Sequence, residues 1–304
     1  MTAEAAFVFV LGTGRCGSSL VHEILAQHED IGFVSNIDDR LALPAALGRW
    51  NGPIYRRLPL VLAEKGRARF APSEGYRVLA RKVSPMLSRS TRDLVASDVS
   101  PWLGSRFRRF FQDRAAAQGR EVFLHKFTGW PRAGFIDAAI PQARFIHVIR
   151  DGRAVANSLL QMSWWRGYEG PTAWGWGPLS SSDAAAWDTA GRSFPLLAAL
   201  EWKVLMEAFA DAKASVAPER WLDVRYEDLL RDPTATTKEL LGFTGLGWTS
   251  EFEGRFRRYT FDTSRAEAFL RDLDASDVST MEDVLGPRLR DLGYPLSSDG
   301  GSRP

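Results

Sequence analysis

The chain has 304 residues, 45% hydrophobic and 25% charged, which suits one large globular domain or two small ones. Its 39 basic and 37 acidic residues leave a net charge of +2, so no global field points to nucleic acid, and any anion must be bound locally. The single cysteine, Cys16, rules out an internal disulfide framework; with no leader-like N-terminus and no apolar run of about 18 residues, a soluble cytoplasmic protein is expected.

Residues 7–11 (FVFVL) read as a buried strand, followed by Gly12, Gly14 and Gly17. Ser18 and Ser19 then open a helical pattern over 18–27, with Leu20, Ile24 and Leu25 on one face. Residues 31–34 read as a second strand that ends near Asn36, Asp38 and Asp39. Residues 41–120 form a mixed helical insertion with one clear amphipathic helix over 105–117. A strand is predicted over 121–127, a helix over 132–139, a buried strand over 144–149 and a helix over 153–162. Residues 163–182 are too rich in Gly, Pro and Trp for a regular element, and Trp164, Trp165, Trp174 and Trp176 all fall there. A long helical region over 183–216 is expected to bend or break at Pro195. A strand over 221–226 follows, then a helix over 233–243 with Asp232 as its cap and Pro233 at its first position.

Strands that alternate with helices predict an α/β fold, a mostly parallel central sheet flanked by helices, in one domain over 1–296 with a disordered tail from 297. Ligands bind such sheets at the carboxyl ends of the strands, where the informative polar residues cluster: Gly12 to Ser19, Asp38, Lys126 and Arg150. Strand, glycine turn and helix start make an anion site, because backbone N–H groups converge there and the helix dipole adds partial positive charge. Arg15 adds a full charge in the same turn.

Several readings of this turn are open. Gly12, Gly14 and Gly17 match the dinucleotide fingerprint G-x-G-x-x-G, with Asp38 about twenty residues on, which would make the protein an NAD(P)-dependent oxidoreductase. Gly12 and Gly17 followed by Ser18 and Ser19 match a nucleoside-triphosphate loop that lacks its lysine. A glycine turn with no ligand is a further possibility.

The run Arg15, Cys16, Gly17, Ser18, Ser19 also resembles the 5′-phosphosulfate-binding loop of sulfotransferases, in which a basic residue, a small residue and Gly precede two hydroxyl residues. Residues 144–160 (RFIHVIRDGRAVANSLL) resemble the same family's 3′-phosphate motif, with Arg150 at the strand end and Ser158 about two helical turns on. Arg150 would offer a bidentate guanidinium and Ser158 a hydroxyl donor. Residues 225–246 resemble the family's strand and Tyr-Glu-Asp segment, which puts Tyr226 where a tyrosine helps seat adenine. The phrase LRDLGYP (289–295) is also common in the family and has no chemical role assigned here.

The resemblance implies a P-loop-like sulfotransferase fold, 3′-phosphoadenylyl sulfate (PAPS) as donor and PAP as product. It also implies a small-molecule, glycan or lipid acceptor that offers a hydroxyl or amine. Charge develops on the leaving oxygen, so cations are needed there and no metal is called for. Arg15 and the loop amides fit that need. Lys126, twenty-four positions before Arg150, matches the spacing of a catalytic lysine in cytosolic members. Two residues after it, where those members carry a histidine, stands Thr128. His125 is expected on the opposite face of its strand, in a structural role. Other members use an acidic residue about two dozen positions after the loop, which implies Asp38, slightly favoured, or Asp39 as general base; either could instead form a turn or pair with Arg40. The tryptophans over 164–176 could stack on an acceptor or form a folded lid, and the arginines of 105–111 could be a solvated face or meet an acidic acceptor. A nucleotide-binding regulatory protein that kept the fold without catalysis is the remaining alternative.

Overall fold

The computed structural model describes residues 5–57 and 70–299. Five parallel strands form one sheet: β1 (Ala6–Gly12), β2 (Ile31–Phe33), β3 (Val122–Thr128), β4 (Arg144–Ile149) and β5 (Trp221–Arg225), in the order β2-β3-β1-β4-β5. β1 is central because six of its seven residues are buried, and helices cover both faces of such a strand. Alternation then sorts the side chains. Phe7, Phe9, Phe123, Phe127 and Phe145 pack on one face with Phe107, Phe111 and Phe135. Val8, Val10, Leu124, Ile146 and Val148 pack on the other with Val21, Ile24 and Leu25 of the helix Ser18–Leu25.

This order puts β3 on one side of β1 and β4 on the other. A crevice forms where connections leave a sheet in opposite directions, so the glycine turn after β1 lies between the carboxyl ends of β3 and β4. Lys126 lies near one end and Arg150 follows the other.

The structure departs from the sequence expectation in several places. After β2 the chain enters the helix Asn36–Leu41, capped by the Ser35 side chain. The insertion resolves into short helices, Asn51–Arg57, Tyr76–Lys82 and Met86–Arg89, before the long helix Pro101–Gln118; its residues 58–69 lie outside those described. The region over 183–216 is two helices, Ser181–Thr189 and Phe194–Ala214, and Pro195 sits in the first turn of the second, where no N–H is required, so it starts that helix and does not kink one. Tyr226 leaves β5 to open the helix Tyr226–Arg231. The tail begins with an ordered 3-10 turn, Ser297–Asp299, in which the Ser297 N–H and hydroxyl donate to Glu282 at 3.0 and 3.1 Å; residues 300–304 lie outside those described. No helix among the described residues is long and apolar enough to cross a membrane.

Candidate functional site

The turn after β1 folds through three left-handed residues, Gly14 (φ 87°), Arg15 (φ 54°) and Gly17 (φ 94°). Gly17 has two reasons to be glycine: its φ, and a Cβ there would lie 2.2 Å from the Tyr226 ring. It caps the helix Ser18–Leu25 without a side-chain hydrogen bond, and no acidic residue lies in that helix's first turn. Its N-terminal positive potential is therefore uncompensated. Gly14, Arg15, Gly17, Ser18 and Ser19 line a cleft of about 1330 Å³, together with Arg150, Ser158 and Tyr226.

The two anion motifs meet in space. Arg15 Nε donates to Ser158 Oγ at 2.9 Å. Arg150 Nη1 donates to the Arg15 carbonyl at 2.9 Å and Nη2 to the Arg265 carbonyl at 2.7 Å, while its guanidinium lies 4.8 Å over the Tyr226 ring. Arg150 Nε is buried with no partner, and neither Arg15 nor Arg150 forms an ion pair among the described residues. Burial, and then the like charges of Arg150 and Arg265, pull the Arg15 guanidinium below its usual range. A buried or half-buried cation without counter-charge is costly, so this arrangement of Arg150 and Arg15 suits an anionic ligand. Arg265, in a 3-10 turn with no sequence signal of its own, contributes the carbonyl that holds Arg150, while its guanidinium pairs with Asp262 at 3.3 Å.

On the other side of β1, Lys126 is 6% exposed. Its Nζ donates to Ser19 Oγ at 2.6 Å and pairs with Glu74 Oε1 at 2.9 Å. Thr128 Oγ1 donates to the same Glu74 oxygen at 2.9 Å. Glu74 and Thr128 both line the cleft. Burial works to raise the Glu74 carboxyl, but Lys126, with help from Thr128 and Arg132, outweighs it and holds the group below its ordinary 4.5. Glu74 is thus an ionised carboxylate at the cleft wall. Sequence reasoning missed it because it lies in an irregular stretch of the insertion, with no spacing that ties it to β1 or β3.

The expected base is placed elsewhere. Asp38 is 3% exposed, accepts from Ser35 N and Oγ at 3.0 Å each and from Asn51 Nδ2 at 2.5 Å, and closes a capping box. Asp39 Oδ1 accepts from the N–H groups of Arg77 and Val78 at 2.7 and 2.9 Å, which caps the helix Tyr76–Lys82. Neither lines the cleft. Their helix-start chemistry, not a reacting group, accounts for both. Cys16 is fully buried, with its thiol against Gly12, so only its backbone is available to a ligand.

His125 faces away from Lys126 and is buried against Phe9, Phe111 and Phe127, where burial pushes its imidazole down to about 3. Among the tryptophans, Trp165 and Trp174 are buried and Trp176 packs on Trp130, whereas Trp164 is 57% exposed and lines the cleft. Arg106 and Arg108 donate to the Lys82 and Ala139 carbonyls, and no arginine of 105–111 reaches the cleft. His28, Glu29 and Asp30 stand close enough for a metal, but Asp30 N donates to His28 Nδ1, and Glu29 is engaged by Thr249 and Arg255.

The strand order overturns the dinucleotide reading. That fold places β2 beside β1, so that the acidic residue after β2 reaches the ribose; here β3 intervenes and Asp38 is remote. Comparison with known proteins agrees. The family model described as "Sulfotransferase family" matches residues 7–250. Two curated relatives, the omega-hydroxy-beta-dihydromenaquinone-9 sulfotransferases of Mycobacterium bovis and Mycobacterium tuberculosis, are each 23% identical over 322 aligned positions, which cover 94% of this chain and 75% of theirs. Among solved structures, a sulfotransferase from Mycobacterium avium superposes with a TM-score of 0.60 at 13% identity, covering 96% of this chain and 78% of that one. The sulfotransferase domain of the curacin biosynthetic pathway gives 0.53 at 14% identity, covering 96% and 99%. These likenesses show a shared fold.

Proposed function

This chain belongs to the sulfotransferase family, and from that premise we propose that it moves a sulfuryl group from PAPS to a hydroxyl of a small-molecule or lipid acceptor, in the reducing cytoplasmic setting that a lone buried cysteine suits. The observation that carries the donor assignment is the pair of guanidiniums, Arg15 and Arg150, that meet over one cleft with no carboxylate between them. Arg150 and Ser158 hold the 3′-phosphate. Arg15, Ser18, Ser19 and the backbone N–H groups of Cys16 and Gly17 hold the 5′-phosphosulfate, and Tyr226 lies against the nucleoside.

Transfer forms a bond between the acceptor oxygen and sulfur and breaks the bond from sulfur to the bridging phosphate oxygen, so PAP leaves with an added negative charge. Lys126, already within reach of Ser19, supplies positive charge to that oxygen. Glu74, oriented by Thr128, takes the acceptor's proton. Thr128 stands where cytosolic members carry a histidine, and its hydroxyl holds the carboxylate that replaces that histidine here. The relatives named for an omega-hydroxylated menaquinone favour a terminal alcohol on a lipid.

Incubation with PAPS and a panel of small and long-chain alcohols, with PAP release and sulfated product followed by mass spectrometry, tests the proposal. Product with at least one alcohol is expected. Tight PAP binding without turnover on any alcohol or amine would identify a donor-binding protein that lacks this activity, and no PAP binding would remove the donor assignment.

A further inference from the structure

The phrase over 289–295 carries a buried residue, Tyr294, that is 4% exposed and does not line the cleft. Its hydroxyl donates to Glu227 Oε2 at 2.9 Å, and Glu227 Oε1 accepts the backbone N–H of Asp151 at 3.1 Å. Asp151 immediately follows Arg150 and is the N-cap of the helix Gly152–Leu160, which carries Ser158. The same closing segment grips Asp151 from a second side. Arg153 forks onto the Asp151 carboxylate, with Nη2 to Oδ2 at 2.7 Å and Nε to Oδ1 at 3.1 Å. Arg153 is itself held by Glu282 and by the Pro295 carbonyl, to which Nη2 donates at 2.9 Å. Glu282 in turn accepts from Ser297.

We propose that the C-terminal segment over 282–297 is a clamp that positions Arg150 and Ser158 for the 3′-phosphate, with Tyr294 and Glu227 as positioning residues. The inference rests on the reading of Arg150 and Ser158 as the 3′-phosphate ligands. The turn is also capped locally, since the Asp151 carboxylate accepts the Arg153 N–H at 2.9 Å, and the contacts through Glu227 and Arg153 tie it to the closing segment. Arg150's own contacts in the cleft are to carbonyls of two loops, Arg15 and Arg265. Buried ion pairs add little net stability compared with well-packed apolar groups, but they fix one geometry, and here that geometry is the turn next to a ligand-binding guanidinium. A bidentate contact to phosphate loses strength steeply when its fork is misdirected.

The test compares PAP with adenosine 5′-monophosphate, which lacks the 3′-phosphate, in calorimetric titrations of the full chain. Tyr294→Phe should weaken PAP by about fivefold and the monophosphate by less than about twofold, since one hydrogen bond to a carboxylate two links from the ligand is lost. Arg150→Ala, run alongside, should abolish the preference for PAP. If Arg150→Ala loses the preference but Tyr294→Phe keeps the wild-type ratio, the clamp is refuted and the ligand assignment stands. If Arg150→Ala keeps the preference, the ligand assignment itself fails. Equal weakening of both nucleotides by Tyr294→Phe would show a merely structural tyrosine and also refute the clamp. Should Tyr294→Phe prove unstable, Glu227→Gln, which cannot accept from Tyr294 and Asp151 in the same way, is read by the same ratio.

Discussion

Two cations flank the central strand, and their surroundings differ in one respect. Lys126, in β3, has a carboxylate, Glu74, at 2.9 Å. Arg150, after β4, has carbonyls and an aromatic face but no carboxylate. Each is buried to a similar degree, at 6% and 9% exposed. The pair around Lys126 is close to neutral, so it can hand a proton partner to an incoming hydroxyl and turn its charge toward a leaving oxygen. The guanidiniums around Arg150 add up to net positive charge in a partly desolvated cleft, which is a way to hold an anion firmly without reacting with it. Under the proposed function, one side of β1 serves the chemistry and the other the grip.

Removing the carboxylate should have the largest effect. Glu74→Gln keeps the shape and the Thr128 contact but cannot take a proton. Its kcat should fall by about 1000-fold, within the range general-base catalysis supplies, with PAP affinity nearly unchanged. The pH profile sharpens this. Lys126 and the hydrogen bonds around Glu74 hold its carboxyl below 4.5 against the opposing pull of burial, so the base stays ionised as pH falls to that value. The acid limb of kcat/KM should therefore lie below pH 4.5, and a limb near neutrality would assign the proton to another group.

The grip side comes next. Arg150→Ala should raise the PAP dissociation constant by about 100-fold, or roughly 2.7 kcal/mol, for loss of a charge-assisted fork. At saturating PAPS its kcat should stay within about threefold of wild type, since the change removes ground-state and transition-state binding alike. A variant that binds PAP normally yet turns over slowly would reverse the assignment of the two sides.

The residues proposed for the grip have local signals in the sequence, and those proposed for the chemistry only in part, for a physical reason. Arg15, Arg150, Ser158 and Tyr226 sit next to regular elements whose apolar runs and glycine punctuation are read locally, so fixing the strands fixes these side chains too. Strand alternation likewise separated Lys126 from His125. Glu74 has no such local signal. It is delivered by an irregular segment that bridges Ser35, just after β2, at Pro72, and only the fold brings it to Lys126. Asp38 and Asp39 were attractive because they follow a strand at a plausible distance. The same polarity that suits a base also suits a helix start, and short-range capping prevailed.

Asp39 gives the smallest effect and the finest distinction. Its carboxylate caps the helix Tyr76–Lys82, which begins two residues after Glu74. Asp39→Ala should therefore cost about 1 kcal/mol of stability, the usual loss for a removed cap, seen as a fall of about 2 °C in the melting temperature. Loosening that helix start should also let Glu74 wander, which lowers kcat by a few fold, because a slightly misplaced base still accepts protons part of the time. The acid limb of the pH profile should stay where it was, since Glu74 and Lys126 are intact. Were Asp39 the base, the same substitution would remove the acid limb and reduce kcat by about three orders of magnitude at little cost in stability. The shape of the pH profile separates a cap that steadies the chemistry from a group that performs it.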